Sequence, residues 1–174
     1  MRLRKLEEKD APIMLEWMHD DSVVKDLQTD FASKSIEDCL KFIQNSWTDG
    51  NNIHMAITEN EDNDEYLGTV SLKNIHDNTA EFAITIRSVA MGKGVAKLAM
   101  NEMIDKGFKK HNFESIYWCV SPSNTRALRF YDKNGYQRVD SDALDIQGYS
   151  NTQISNYIWY LVSREERRNG ISSK

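Results

Sequence analysis

The sequence is short of the residues that mark secreted, metal-binding or membrane-spanning proteins. It has two cysteines and four histidines in 174 residues. These are too few for a disulfide framework, and they are not spaced as metal ligands. No apolar run approaches the roughly 20 residues that cross a bilayer, and charges interrupt the first nine residues, unlike a secretion signal. We expect a cytoplasmic protein with no membrane partner and no metal, in which Cys39 and Cys119 are buried thiols.

Positive charge is also scarce, with 22 Lys and Arg against 27 Asp and Glu. Because nucleic-acid binders usually present a basic excess on one face, the composition argues against a nucleic-acid partner. A net charge of -5 leaves room for a cationic substrate. The length predicts a single domain over residues 1–174, with a polar, frayed tail over about 164–174.

The spacing of apolar residues predicts a chain that mixes strands and helices. Asp10 and Ser35 are predicted to cap two early helices, separated by a loop over 20–33. Val95–Phe108 is predicted to form an amphipathic helix, and Asn124 to cap another that ends at Gly135. Strands are predicted at 1–6, 53–58, 66–72, 80–86, 115–120, 136–139 and 154–162. The strands from 53 to 86 are predicted to form an antiparallel meander.

A Gly92-Lys93-Gly94 turn lies between the strand at 80–86 and the helix that begins at Val95. A helix start has unpaired N–H groups and a partial positive charge, and glycine lets an anion approach that backbone closely. The turn therefore suits a pyrophosphate, although two glycines are also compatible with a plain tight turn. Lys97 excludes the dinucleotide fingerprint, and a glycine after Gly92-Lys93 excludes the P-loop.

A second group of residues follows the buried strand at 115–120. Asn124, Ala127 and Tyr131 fall roughly on one helix face, and Gly135-Tyr136 follows the helix. Taken singly, Asn124 is compatible with a plain cap and Tyr131 with a core tyrosine.

Together, the two motifs resemble those of the GNAT superfamily of acetyl-CoA-dependent N-acetyltransferases. That family carries Gln or Arg, two residues, Gly, one residue and then Gly or Ala, which Gly94 and Ala96 match. Met91 departs from the pattern, since it stands where the family has Gln or Arg. The layout also resembles bacterial enzymes that acetylate ribosomal-protein N-termini, spermidine or nucleotide-linked amino sugars.

The resemblance implies an α/β (α+β) fold with a mixed, mostly antiparallel sheet of about seven strands flanked by helices. The fourth and fifth strands would splay apart, and the pantetheine arm of acetyl-CoA would pair with the opened edge. Lys93, Lys97 or Arg129 would meet phosphates or remain solvated. The cofactor-binding residues implied by the resemblance are Ile84, Ile86, Met91, Gly92, Lys93, Gly94, Val95, Ala96, Asn124, Ala127 and Tyr131.

The resemblance also implies direct attack of a neutral amine on the thioester. Tyr131 is the expected acid for the leaving thiolate, and a backbone N–H near Ile84 or Ile86 would polarise the carbonyl. Glu81 is the candidate base, with a plain surface carboxylate as the alternative, and His76 is more typical of a surface residue. A degenerate coenzyme A sensor or scaffold is the alternative function left open by Met91.

The expected acceptor is a polyamine, an amino-sugar nucleotide or a protein N-terminus, and a homodimer is left open. In the resembled family, specificity lies in segments that correspond here to 17–35 and 141–156. Trp17, Phe31 and Trp47 could stack on a sugar or base, although core packing is the more usual role of the tryptophans. Aspartates that could attract a cationic amine are Asp20, Asp21, Asp26, Asp30, Asp140, Asp142 and Asp145.

Overall fold

One mixed sheet organises the part of the chain described by a computed structural model, which covers residues 1–27, 29–60 and 62–169. Its seven strands lie in the order β1-β2-β3-β4-β5-β7-β6. The strands are β1 (Arg2–Lys5), β2 (Ile53–Thr58), β3 (Tyr66–His76), β4 (Thr79–Ile86), β5 (Ser115–Val120), β6 (Gln137–Val139) and β7 (Ile158–Ser163). The helices are α1 (Ala11–Met18), α2 (Asp21–Val24), α3 (Ile36–Ser46), α4 (Val95–Lys110), α5 (Thr125–Lys133), α6 (Asn151–Asn156) and α7 (Arg164–Arg168).

Strand pairing confirms the predicted fold. The β2–β3–β4 meander is antiparallel, and among the described strands β4 and β5 form the one parallel pair. β5 then pairs with β7, and β7 with β6, both antiparallel. The parallel pair arises because α4 crosses from the end of β4 back to the start of β5, the connection that parallel neighbours require.

Several predicted boundaries and caps were wrong, because side-chain hydrogen bonds decide where the helices begin. Ser150 and Gln153 form a reciprocal cap, so the predicted strand at 154–162 opens as α6 and becomes strand only at Ile158. The predicted loop at 20–33 contains α2, which the Asp20 side chain caps. Asp10 precedes α1 without capping it, because its carboxylate accepts from Arg4 and from the N–H of Glu7.

The C-terminal segment is ordered further than expected. Ser163 and Glu166 cap each other at the start of α7, and Arg167 Nε donates to Asp105 Oδ1 over 2.7 Å. Residues 164–168 are therefore helical rather than frayed, while residues 170–174 of the predicted tail lie outside the described residues.

Each sheet face buries a separate apolar core. α4 and α5 cover a core that includes Phe82, Met103 and Trp118, and α1 and α3 cover a second core around Met14 and Ile43. Burying one such side chain contributes about 1.5–3 kcal/mol, so the two layers hold the sheet from both sides. Cys39 lies in the second core as expected, whereas Cys119 is half-buried. Leu98, an apolar residue within the predicted amphipathic helix, is 55% exposed.

Arg87 fastens the end of β4. Its buried guanidinium donates to the Tyr66 carbonyl over 3.0 Å, to Glu65 over 2.7 Å and to Glu16 over 2.9 Å. One side chain thus ties β4 to the start of β3 and to α1, which fixes the position at which the chain leaves the sheet.

Gly68 is required where β3 meets the end of β4. A Cβ at this position would lie 2.2 Å from the Thr85 carbonyl oxygen, which belongs to the backbone and cannot swing away. Gly50, by contrast, has no heavy atom of the described residues within 4 Å of an added Cβ and no unusual φ.

We predict that Gly68→Ala lowers the free energy of unfolding by about 1–3 kcal/mol, because β3 and β4 must move apart to admit the methyl group. Urea denaturation measures this as a lower midpoint with an unchanged m-value. Gly50→Ala serves as the control and should stay within about 0.5 kcal/mol of the parent. Equal stability of the two variants would contradict the close approach.

Candidate active site

The parallel pair β4–β5 is joined at one end only. Thr79, Ala80 and Glu81 pair with Ser115, Ile116 and Tyr117, and among the described residues the ladder between these strands ends there. β4 continues to Ile86 paired with β3, and β5 continues to Val120 paired with β7. A gap therefore opens between residues 82–86 and 118–120, as predicted, and it leaves backbone N–H and C=O groups at both edges for a ligand.

The chain passes from this gap into the glycine turn. Gly92 and Gly94 have φ of 76° and 78°, a left-handed conformation that other residues adopt at a cost. Gly94 is the N-cap of α4, followed by the half-buried Val95 and Ala96. No heavy atom of the described residues lies within 4 Å of a Cβ added to either glycine, so the helix start is accessible to an anion.

Met91 lies at the point where the two cores meet. It packs against both of them, and the Nη1 of Arg126 in α5 lies 2.9 Å from its Sδ. The same Nη1 donates to the Ser22 carbonyl over 3.3 Å. The fold thereby places the guanidinium of Arg126 beside Met91, the position at which the family's motif has Gln or Arg. Sequence reasoning missed Arg126, because only the packing of α5 beside the turn reveals the contact.

Helix α5 carries Tyr131, and Asn124 caps its start. Asn124 Oδ1 accepts from the Ala127 N–H over 3.0 Å, which caps the helix. Tyr131 is 7% exposed and its ring packs 5.2 Å from those of Trp118 and Tyr160. Burial raises the pKa of Tyr131, so the phenol keeps its proton at neutral pH. Trp118 follows Tyr117, the last residue of β5 to pair with β4, and the packing of Tyr131 against Trp118 therefore puts Tyr131 beside the gap.

Glu81 is the last residue of β4 to pair with β5. Its buried carboxylate accepts from Tyr149 Oη over 2.6 Å and from Asn74 Nδ2 over 2.8 Å, and Lys73 Nζ lies 3.0 Å away. These donors orient the carboxylate and compensate its burial. Sequence reasoning missed all three of these partners. Tyr149 is 68 residues away from Glu81, and no local pattern marks it.

His76 remains at the end of β3, with its ring bonded to structural partners. Its Nδ1 lies 2.7 Å from the Asn74 carbonyl and its Nε2 lies 3.2 Å from Asp145. The hydrogen bond to the Asn74 carbonyl, together with Asp145, raises the pKa of His76. His76 is half-buried, and the surface role expected of it stays a prediction.

A cavity of about 480 Å³ lies between the sheet and helices α1 and α3. Its wall includes Ala83, Ile84 and Thr85, which lie in β4 beyond the residues that pair with β5, so the cavity lies against the β4 side of the gap. This volume falls within the range of small-molecule sites. Trp17 and Phe31 line it with their rings 5.1 Å apart, whereas Trp47 is exposed and bonds the Leu6 carbonyl instead.

His54 lies in the floor of the cavity, a role that the sequence did not reveal. Its Nδ1 is 2.7 Å from Ser71 Oγ, and its ring lies 4.7 Å from that of Phe42. Burial lowers the pKa of His54, so the ring is neutral at neutral pH. His54, Ser71 and Ala83 lie side by side on one face of the sheet, because His54 of β2 is opposite Ser71 of β3 and Ser71 is opposite Ala83 of β4.

The described ranges contain no group of three or more His, Cys, Asp or Glu side chains placed to hold a metal ion. They also contain no helix that combines the length and apolar character needed to span a membrane.

Comparison with known proteins gives consistent matches. The family model described as acetyltransferase (GNAT) domain matches residues 1–137. An uncharacterized N-acetyltransferase, p20 of Bacillus licheniformis, is 27% identical over 169 residues, which covers 95% of this chain and 94% of that protein. The acetyltransferase PseH of Campylobacter jejuni is 21% identical, over 79% of this chain and 83% of its own length.

A solved structure shares the fold. The crystal structure of spermidine N-acetyltransferase from Vibrio cholerae in complex with CoA and spermine superposes with a TM-score of 0.79. The match covers 97% of this chain and 98% of that one at 20% identity, which shows a common fold and no more.

Proposed function

Because the chain belongs to the GNAT family of acetyltransferases, we propose that it transfers the acetyl group of acetyl-CoA to a primary amine of a small molecule or a protein N-terminus. One observation carries the proposal: the open edge of β4 over residues 83–85 is shared by the gap and by the cavity. A thioester bound in the gap would therefore be accessible to an amine bound in the cavity.

The residues at the gap suit coenzyme A. The N–H groups from Gly92 to Ala96, including Lys93 and Val95, would hold the pyrophosphate, since both glycines leave the helix start open. The backbone at Ile84 and Ile86 would pair with the pantetheine arm as an added strand, and Asn124 and Ala127 would line its other side. When bound, acetyl-CoA supplies the thioester carbonyl that the amine attacks.

Arg126 compensates for Met91 in this proposal. A guanidinium beside the turn supplies N–H donors that a Gln or Arg at the first position of the motif would otherwise supply. Arginine suits phosphate oxygens because its fork of N–H groups can donate two hydrogen bonds at once.

The attacking amine must be neutral, so a group on the cavity side of the sheet must accept its proton. We assign this role to Glu81, whose side chain shares a face of β4 with Ala83 and Thr85. Lys73, Asn74 and Tyr149 hold the carboxylate in place.

Tyr131 acts as the acid in the proposed reaction. Its phenol lies on the other side of the sheet, where it packs against Trp118. A tyrosine phenol is protonated at neutral pH, so Tyr131 carries a proton that it would donate to the leaving sulfur atom. The proposed base and the proposed acid thus lie on opposite faces of the sheet.

The direct test is a thiol-release assay with acetyl-CoA and a panel of spermidine, N-terminal peptides and amino-sugar nucleotides. We expect coenzyme A to appear at a rate that depends on one class of amine. Binding of acetyl-CoA in a thermal-shift assay, without release by any amine, would instead favour a coenzyme A sensor.

We predict that Tyr131→Phe lowers turnover at least about tenfold, since general acid catalysis contributes roughly 10²–10⁴. The affinity for acetyl-CoA should change little, because the ring and its packing are retained. Steady-state kinetics combined with calorimetry separates the two effects. Unchanged turnover would remove Tyr131 from the mechanism.

We predict that Gly94→Asp abolishes binding of acetyl-CoA, because it places an anion at the helix start that would hold the pyrophosphate. Gly94→Asn is the matched control: it has nearly the same shape, tolerates the left-handed conformation and carries no charge. Calorimetry should show much weaker binding for Asp than for Asn. Equal affinities of the two variants would contradict the assignment of the turn.

A further inference from the structure

We propose that the amine acceptor also carries an anionic group, a phosphate or a carboxylate, and that Lys34 and Lys41 bind this group in the cavity. The inference deepens the proposed function and rests on it, because it takes the cavity that reaches residues 83–85 as the acceptor site.

The cavity has an excess of positive charge in a protein whose formal net charge is -5. Three lysines line it, Lys34, Lys41 and Lys73, against one carboxylate, that of Asp38. The cavity lining therefore carries a net positive charge, whereas the chain as a whole is negative. This is the pattern expected of a site that attracts an anion.

The charges that line the cavity differ in whether they already have a partner. Lys73 is paired with Glu81 over 3.0 Å. The carboxylate of Asp38 accepts from the Ser35 N–H over 2.9 Å at the start of α3, and this hydrogen bond, with that of the Ser35 hydroxyl, lowers the pKa of Asp38. Lys34 and Lys41 form no ion pair within 4 Å among residues 1–27, 29–60 and 62–169. The charges of both lysines also lower the pKa of Asp38, so two cations and one carboxylate together present a net positive charge to a ligand.

The rest of the cavity is apolar or neutral. The rings of Trp17, Phe31 and Phe42 contribute to its lining, and His54 is neutral because burial lowers its pKa. Such a surface suits a flat or ring-shaped body between the reacting amine and the anion, since aromatic side chains bury a large apolar area.

The same charges disfavour a polyamine, one of the acceptors expected from the sequence. A second ammonium group would meet Lys34 and Lys41, which outnumber Asp38, the one carboxylate in the lining formed by the described residues. The loop aspartates that were expected to attract a cation are absent from the lining formed by the described residues. Asp20 caps α2, Asp26 accepts from Ser123 and Asp30 accepts from Ser33.

The test compares acceptors that differ only in the anion: glucosamine 6-phosphate with glucosamine, and phosphoethanolamine with ethanolamine, with spermidine as a cationic reference. We expect the phosphorylated member of each reacting pair to have the higher kcat/KM. In the variant Lys34→Glu/Lys41→Glu this preference should fall by roughly tenfold or more, since two charge-assisted contacts become repulsive. Lys34→Gln/Lys41→Gln should give a smaller fall in the same direction.

The control variant is Lys5→Glu/Lys110→Glu, which makes the same change of charge at two exposed lysines outside the cavity lining. It should keep the preference of the parent. A parent enzyme that prefers spermidine or the unphosphorylated amines would overturn the inference while leaving the proposed function intact. An anion preference that survives in Lys34→Glu/Lys41→Glu would overturn it as well.

A binding measurement keeps the two proposals separable. With coenzyme A at saturation, uridine diphosphate should still raise the melting temperature of the parent protein, and the rise should be lost in Lys34→Glu/Lys41→Glu. If no amine releases thiol but this shift is present and lysine-dependent, the proposed function fails and the anion site stands. If the parent shows no shift with uridine diphosphate, the anion site is wrong.

Discussion

The active site depends on the place where β4 and β5 stop pairing. Three residue pairs join the two parallel strands, and beyond Glu81 and Tyr117 the strands diverge while each stays bonded to its other neighbour. A buried strand edge normally carries a large penalty because its N–H and C=O groups lose their partners. An edge left open inside a sheet is therefore best explained by a ligand that completes it.

Close contacts fix both ends of β4, the strand that diverges from β5. Gly68 lets β3 approach the end of β4 closely, and Arg87 ties that end to α1 and to the start of β3. At the closed end, Tyr149 and Lys73 converge on Glu81. A catalytic geometry that has to be reproduced within fractions of an ångström needs such support from neighbouring side chains. The same contacts explain why the candidate base is buried without being isolated.

Local patterns predicted much of this arrangement. The meander, the capped start of α3, the glycine turn and the Asn124 cap each depend on residues a few positions apart, and each was found where expected. The boundary of β7 was wrong because a reciprocal cap at Ser150 competes with a strand pattern of similar strength. The positions of Arg126, Tyr149, Lys34 and Lys41 could not be predicted, because only the packing of distant elements brings these residues to the site. The positive charge of the cavity that we propose as the acceptor site could not be predicted from the acidic composition for the same reason.

Completion of the open edge of β4 by coenzyme A is tested by amide hydrogen exchange, followed with and without saturating coenzyme A. Slower exchange is expected for amides within residues 82–86, with little change in β2, which already pairs with strands on both sides. Saturation with coenzyme A that leaves exchange at residues 82–86 unaltered would contradict the claim, because the cofactor would then be bound elsewhere.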